Sequence, residues 1–286
     1  MELKIKRRTP NRSLYGDIFN VFALLAVASF MALPLVYAVN NAFKPLEELF
    51  QFPPRFFVRN PTLDNIRDLF TLMNSSWVPF TRYIFNTVFI TVVGSFLHLV
   101  VASLAAYVLA KHKFPGQKIF FSMVILALMF SPHVTAIPNY LIMAKIGWID
   151  SYLSLIVPAI AAPLGIFLMK QFMEQIPVSL LESARLDGAS EFYVFWKVAM
   201  PLVKPAWLTL LIFSFQALWS LNGGTFIYNE ALKTLPTALN QIVATGFSRA
   251  GAASAIALFM MIVPLSVFIV SQSNVIETMS TSGIKD

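Results

Sequence analysis

Glu182-Ser183-Ala184-Arg185-Leu186-Asp187-Gly188, followed after nine intervening residues by Val198-Ala199-Met200-Pro201, is a polar interruption between apolar segments that are each long enough to cross a bilayer. Nothing in hydrocarbon calls for such a stretch, so its position points to a water-facing partner. Ile176-Pro177-Val178 opens it, and Pro177 suits the first turn of a helix, where its missing N–H costs nothing. Leu180, Leu181 and Ala184 then fall near one face, while Glu182 and Arg185, three apart, are neighbours on the other. Gly188 suits the left-handed residue that stops a helix. Ser190 can cap the next helix, which runs through Phe192, Tyr193, Phe195 and Trp196, and Pro201 marks the entry to the following span. The pattern predicts two short helices joined at a glycine hinge, with exposed aromatics. Such a projection is either a protein-docking surface or an interfacial helix held on lipid by Phe and Trp.

On either side the chain is apolar. It is 57% hydrophobic and 12% charged, with mean hydropathy +0.71, and soluble domains carry about twice that share of charge. Six spans are predicted at about 18–40, 84–110, 119–143, 152–170, 202–221 and 253–272. The alternation of a membrane β-barrel is absent, so the expected fold is an all-α polytopic helical bundle. Pro34, Pro132, Pro138, Pro158, Pro163, Pro205 and Pro264 lie in or beside these spans and predict kinked, mutually packed helices. The basic start of the chain, Lys4 to Arg12, precedes an apolar stretch of span length without a small-residue cleavage site, which reads as an uncleaved first span.

Lys and Arg set the orientation. With the N-terminus inside, 13 of the 21 basic residues fall on the inner side and eight on the outer. Both termini and the 171–201 loop are therefore expected in the cytoplasm, with residues 1–17 as the cytoplasmic N-terminus. The first outer loop, about 41–83, carries Phe43-Lys44-Pro45, Phe52-Pro53-Pro54 and Asn60-Pro61-Thr62, which fit an ordered cap at the membrane surface or a plain interfacial loop. Net charge +7 is scattered around apolar spans, so it reads as membrane-flanking charge and excludes nucleic acid as the expected partner.

Several chemistries are excluded. There is no cysteine, hence no disulfide or thiolate metal site. The dipeptide Gly-Lys is absent, so no P-loop exists, and no metalloprotease or hydrolase motif appears. The span interiors hold no Asp or Glu, the groups that mark coupling pathways in proton- or sodium-driven carriers. The polar residues there are neutral. His133, which follows the helix-breaking Ser131-Pro132, together with Asn139, Gln216, Trp219, Asn222 and Tyr228, form the expected substrate pathway, with Tyr140 and Phe215 nearby. Uncharged partners and aromatic faces suit a sugar. For each of them interhelical hydrogen bonding or interfacial anchoring is the competing role. His98, amid Phe96, Leu97, Leu99 and Val100, reads as packed against a neighbouring helix.

The spacing of the opening stretch resembles the EAA loop of permease subunits of binding-protein-dependent ABC importers: Glu-Ala-Ala, three residues, Gly, nine residues, Ile-x-Leu-Pro. Glu182, Ala184, Gly188 and Pro201 match in place, with Ser183, Val198 and Met200 as substitutions. Gly147-Trp148-Ile149-Asp150-Ser151-Tyr152-Leu153, Pro201-Leu202-Val203-Lys204-Pro205-Ala206, Leu235-Pro236 and Gly283-Ile284-Lys285 extend the likeness over about 80–286, closest to the six-span maltose-importer type. The chain departs after Trp219, where Ser220-Leu221-Asn222-Gly223-Gly224 replaces a Trp-Asn-Asp run. The resemblance implies a single permease domain over 1–286 with its core at 80–275, and the type I ABC importer permease fold. It implies a non-catalytic subunit for carbohydrate import by alternating access, coupled to a separate ATPase through Glu182, Ser183, Ala184, Arg185, Asp187, Gly188, Val198 and Pro201. The implied partners are a second permease subunit in a heterodimer, two copies of a cytoplasmic ATPase that hold the ATP and Mg, an extracytoplasmic sugar-binding protein, and membrane lipid. The chain itself is expected to bind no cofactor and no metal. The competing classes are a self-contained secondary transporter or channel for a small polar solute, and a membrane scaffold.

Overall fold

The computed structural model describes residues 14–74, 78–244 and 249–282. The basic N-terminal cluster from Lys4 to Arg12 and the terminal Gly283-Ile284-Lys285 lie outside them. By contact the chain divides into two units, 1–69 with 247–258, and 70–246 with 259–286.

In the first unit, α1 (Leu14–Phe43) is a 30-residue helix containing Pro34, about 45 Å long at 1.5 Å per residue. It buries none of its most apolar stretch, and a helix apolar all round is at home in lipid. The chain then folds over the end of α1 through α2 (Leu46–Leu49) to the start of α3 (Asp64–Asn74). Lys44 is only 2% exposed, and its ammonium is satisfied by Asn41 Oδ1 at 2.8 Å and the Arg55 carbonyl, with the Tyr37 ring 5.0 Å away. Glu48 accepts from the N–H groups of Arg59 and Asn60, both at 3.1 Å. Asn65 donates to the carbonyls of Ala42 and Lys44. These bonds tie the segment from Lys44 to Asn65 together.

The second unit is organised around α4 (Phe80–Lys111). α4 is followed by α5 (Gln117–Met129), α6 (Pro132–Lys145), α7 (Leu153–Ile160) and α8 (Pro163–Glu174). The hairpin comes next: α9 (Val178–Leu186), α10 (Glu191–Tyr193), a π-helical segment Val194–Ala199, and α11 (Met200–Leu202). α12 (Lys204–Trp219), a 3-10 turn Glu230–Leu232 and α13 (Leu235–Val243) lead to α14 (Ala250–Ser282), whose first turns belong to the first unit. No strand occurs among the described residues.

α4 packs chiefly on α8, α12 and α7. Small residues permit this: Ala102 and Ala106 are fully buried, and a Cβ on Gly165 of α8 would collide with His98 and lie 2.8 Å from the Ala102 Cβ. Membrane helices approach closely through such residues, because lipid removes most of the hydrophobic drive to associate. The inward face of α4 is also polar, with Asn86, Thr87, Thr91, Ser95, His98 and Ser103 all buried.

Among the described residues, four helices are long and apolar enough to span a membrane, and two bent pairs pass the same test together, giving six spans when each pair counts once. The predicted third span at 119–143 falls on the first bent pair. It is not one rod: α5 and α6 meet at 109°. Ser131 caps α6, its Oγ accepting from the His133 N–H at 3.4 Å, and Pro132 starts the new helix, so α5 cannot continue through it. The hairpin's second arm and α12 are likewise bent by 83°, at Val203.

Candidate functional site

The hairpin from Val178 to Leu202 forms two arms about Gly188. The Asp187 N–H and Gly188 N–H close on the Ser183 and Arg185 carbonyls at 3.0 Å. Gly188 takes φ +84°, a region that costs an L side chain about 1–2 kcal/mol. Ser190 Oγ accepts from the Tyr193 N–H at 3.3 Å, capping the second arm. One face is anchored: Leu181, Val194, Phe195 and Ala199 sit in a buried cluster with Ala106, Tyr107, Met169 and Met173, and Ala184, Trp196 and Val198 pack against its edge. The other face is bare. Leu186 is 88% exposed, and Phe192, Tyr193, Val178 and Leu180 are exposed with it. The hairpin is therefore fixed to the spans by one side and presents an apolar surface with the other.

Among the residues read as the coupling set, Glu182, Ser183, Asp187 and Pro201 are exposed, with the Ser183 hydroxyl turned back to the Ser179 carbonyl at 2.9 Å. Arg185 does not pair with Glu182 on its own helix. It reaches across the turn to Glu191, Nε to Oε1 at 2.6 Å and the second nitrogen to Oε2 at 3.2 Å. That contact holds the Glu191 carboxyl below its ordinary range through the Arg185 hydrogen bonds, and raises the Arg185 guanidinium through the same bonds.

A cavity of about 430 Å³ opens between α6, α7, α8 and α12. Its lining includes His98, Thr135, Asn139, Phe213, Ser214 and Phe226, and none of its lining residues is Asp, Glu, Lys or Arg. His98 is fully engaged, Nδ1 with Ser214 Oγ at 2.8 Å and Nε2 with the Ala162 carbonyl at 3.1 Å. Of the residues read as a pathway, Asn139 lines this cavity. His133 and Gln216 are exposed and outside its lining. Trp219 is buried, donates to the Met260 carbonyl at 3.3 Å and stacks on Phe215 at 5.9 Å. Asn222 Oδ1 accepts from Gly224 N–H at 3.1 Å and from the Thr237 hydroxyl at 3.2 Å. Tyr228 is exposed, with its hydroxyl 3.4 Å from that of Tyr140.

Beside the cavity, Asp150 was not singled out by its sequence. It has φ +56°, and its Oδ1 accepts from the N–H groups of both Tyr228 and Asn229 while its own N–H donates to the Phe226 carbonyl at 2.9 Å. It thus fastens the segment carrying Thr225 and Phe226, which line the cavity. Its one sequence signal is the turn Gly147-Trp148-Ile149-Asp150, whose Gly147 also has positive φ.

An all-helical polytopic chain with a neutral cavity and an anchored, apolar-tipped hairpin between its fourth and fifth spans is built as the membrane subunit of a transporter. The chain belongs to the family described as binding-protein-dependent transport system inner membrane component, whose model matches residues 98–278. It is 33% identical over 228 residues to Protein LplC of Bacillus subtilis, covering 79% of this chain and 75% of that one. It is 30% identical over 200 residues to the arabinooligosaccharides transport system permease protein AraQ of Halalkalibacterium halodurans, covering 68% and 69%. In fold it matches a chain of the bacterial ABC transporter involved in import of the acidic polysaccharide alginate, with TM-score 0.75, 23% identity, and coverage of 93% of this chain and 99% of that one.

Proposed function

We propose that this chain is one of two permease subunits, in a heterodimer, of an ATP-driven importer that carries a carbohydrate across the cytoplasmic membrane by alternating access. Membership of the binding-protein-dependent family supports delivery of the solute by an extracytoplasmic binding protein. Two cytoplasmic ATPase subunits hold the ATP and Mg, and this chain is non-catalytic. The Lys and Arg bias supports an orientation with both termini and the 171–201 loop inside. The hairpin carries the reading: an apolar tip around Leu186 and Phe192, with one face packed into the spans, suits a lever seated on a moving partner. Glu182, Ser183, Asp187, Gly188 and Pro201 would face that partner, with Ala184 and Val198 supporting them from beneath and Arg185 shaping the turn.

The names of the relatives support a sugar, and so does the cavity, whose lining offers neutral polar groups and aromatic faces. Asn139 is the lining residue best placed to meet a hydroxyl. His133, Gln216, Trp219, Asn222 and Tyr228 complete the pathway proposal, with Asn222 and Tyr228 in the outer segment. The test is reconstitution of the complete complex in vesicles, with uptake of labelled arabino- and alginate oligosaccharides followed with and without ATP. ATP-dependent accumulation is expected. Accumulation driven by an ion gradient without ATP would overturn the reading.

A further inference from the structure

The hairpin is held to α4 at a point that the family motif does not include. Arg185 and Glu191 lie three residues to either side of Gly188, so the turn at φ +84° brings their side chains face to face. The same Glu191 carboxylate meets the end of α4: Oε2 accepts from the Tyr107 hydroxyl at 3.4 Å and lies 3.6 Å from His112 Nε2. Tyr107 is 4% exposed, and its ring packs edge-on against Phe195 of the second arm at 5.3 Å. Lys111, one turn further along α4, donates to the carbonyls of Glu174 and Ile176, where the chain enters the first arm.

We propose that Glu191 is the positioning residue that makes the hairpin and the end of α4 a single rigid body, so that displacement of the tip moves the span instead of bending the hairpin about Gly188. The proposal rests on the reading of the hairpin as the docking element. An isolated exposed ion pair contributes little, but this carboxylate is shared among the two arms and α4, and the planar guanidinium holds it from two nitrogens in a fixed orientation. Without Glu191, Arg185 keeps its charge and its contact with Tyr107 and the apolar tip remains, yet among the described residues no other polar side chain of the second arm meets Tyr107 and His112. Docking and transmission are then separable properties of one hairpin. The exposed face serves the first, and the Glu191 cluster serves the second.

The chain contains no cysteine, so two nitroxide labels can be placed away from the apolar tip, at Lys197→Cys on the exposed side of the second arm and Leu104→Cys on the exposed side of α4, one turn from Tyr107. Distances are measured by pulsed electron resonance in the assembled complex, before and after addition of ATP with vanadate, and bound ATPase is assayed on the same sample. In the unsubstituted background a single narrow distance is expected that ATP and vanadate leave unchanged. Glu191→Gln should lose it, giving a broad distribution that shifts with ATP, while recovery of bound ATPase stays the same. Tyr107→Phe, which deletes the hydroxyl's contacts with Glu191 and Arg185 but keeps the Arg185–Glu191 pair and the ring packing, should broaden the distribution less. A narrow, nucleotide-independent distance in both variants would overturn the proposal. So would a fall in ATPase recovery with Glu191→Gln, which would make Glu191 part of the dock. Absence of ATPase from the unsubstituted chain would instead refute the docking reading itself.

Discussion

At Gly165 α8 lies so near α4 that there is no room for a Cβ, and replacing it with alanine gives a prediction whose size follows from the geometry. The new Cβ would collide with His98 Nε2 and stand 2.8 Å from the Ala102 Cβ and 3.0 Å from His98 Cε1. Neither neighbour can yield cheaply. Ala102 Cβ is fixed by the α4 backbone, and the His98 ring is pinned by Ser214 and by the Ala162 carbonyl. Overpacking of this kind costs about 1–3 kcal/mol, and displacing His98 from the Ala162 carbonyl adds about 1 kcal/mol. Against this, alanine in place of glycine in a helix returns up to about 1 kcal/mol. The net expectation is a loss of about 1–3 kcal/mol. Gly94→Ala is the matched control: the three atoms nearest its Cβ would all belong to the flexible Leu218 side chain, the first being Cδ1 at 2.7 Å, which can rotate away, so it should cost less than Gly165→Ala. Unfolding of the purified chain in mixed micelles, titrated with a denaturing detergent and followed by loss of tertiary signal, separates the two. Ala102→Gly placed beside Gly165→Ala should recover part of the loss, a coupling that a double-mutant cycle reads directly. Equal effects of Gly165→Ala and Gly94→Ala, or no recovery with Ala102→Gly, would refute the close α4–α8 contact.

Two further outcomes follow from the polar contacts. Asp150→Ala removes the acceptor of the exposed Tyr228 and Asn229 N–H groups, which water replaces in part, a loss of about 0.5–1.5 kcal/mol local to that segment. Labelling of a cysteine placed at Thr225 should speed up with Asp150→Ala and change little with Asp150→Asn, which keeps the acceptor. The Glu191 carboxyl is held below its ordinary value of 4.5 by Arg185, so the closure it provides is complete above that value and is lost as pH falls through the lower value of the folded state. Limited proteolysis between Leu186 and Phe192 should accelerate only below about pH 4.5 and should lose this pH dependence in Glu191→Gln.

Much of the architecture was legible because hydropathy reports solvent directly. Each predicted span falls on a helix or a bent pair, and Gly188, Ser190 and the two arms stand where turn and cap chemistry placed them. The bend between α5 and α6 was marked by Ser131-Pro132, but a sliding apolar window joins what a capped proline separates. The pairing of Arg185 was not legible. Spacing along one helix favours Glu182, three residues away, whereas the turn at Gly188 carries the chain back and offers Glu191 in better geometry. Asp150 was hidden for the same reason, since its partners lie 78 and 79 residues later. The cavity was partly legible. Asn139 lines it, but so do His98 and Ser214, whose exposure to it depends on how α4 and α12 are rotated, and hydropathy does not encode rotation.

The central claim is that the hairpin couples this chain to an ATPase. Its most direct test is a gentle-detergent pull-down of the tagged chain with ATP hydrolysis assayed on the eluate, repeated with Glu182→Ala plus Gly188→Trp. Glu182 is exposed, and Gly188 has open space around its Cβ position but a left-handed backbone, so the double variant alters the docking surface and the turn while the buried cluster beneath is untouched. Recovery of an ATPase with the native chain and its loss with the variant is the predicted result. A chain that purifies without ATPase, or an ATPase retained in full by the variant, would contradict the account.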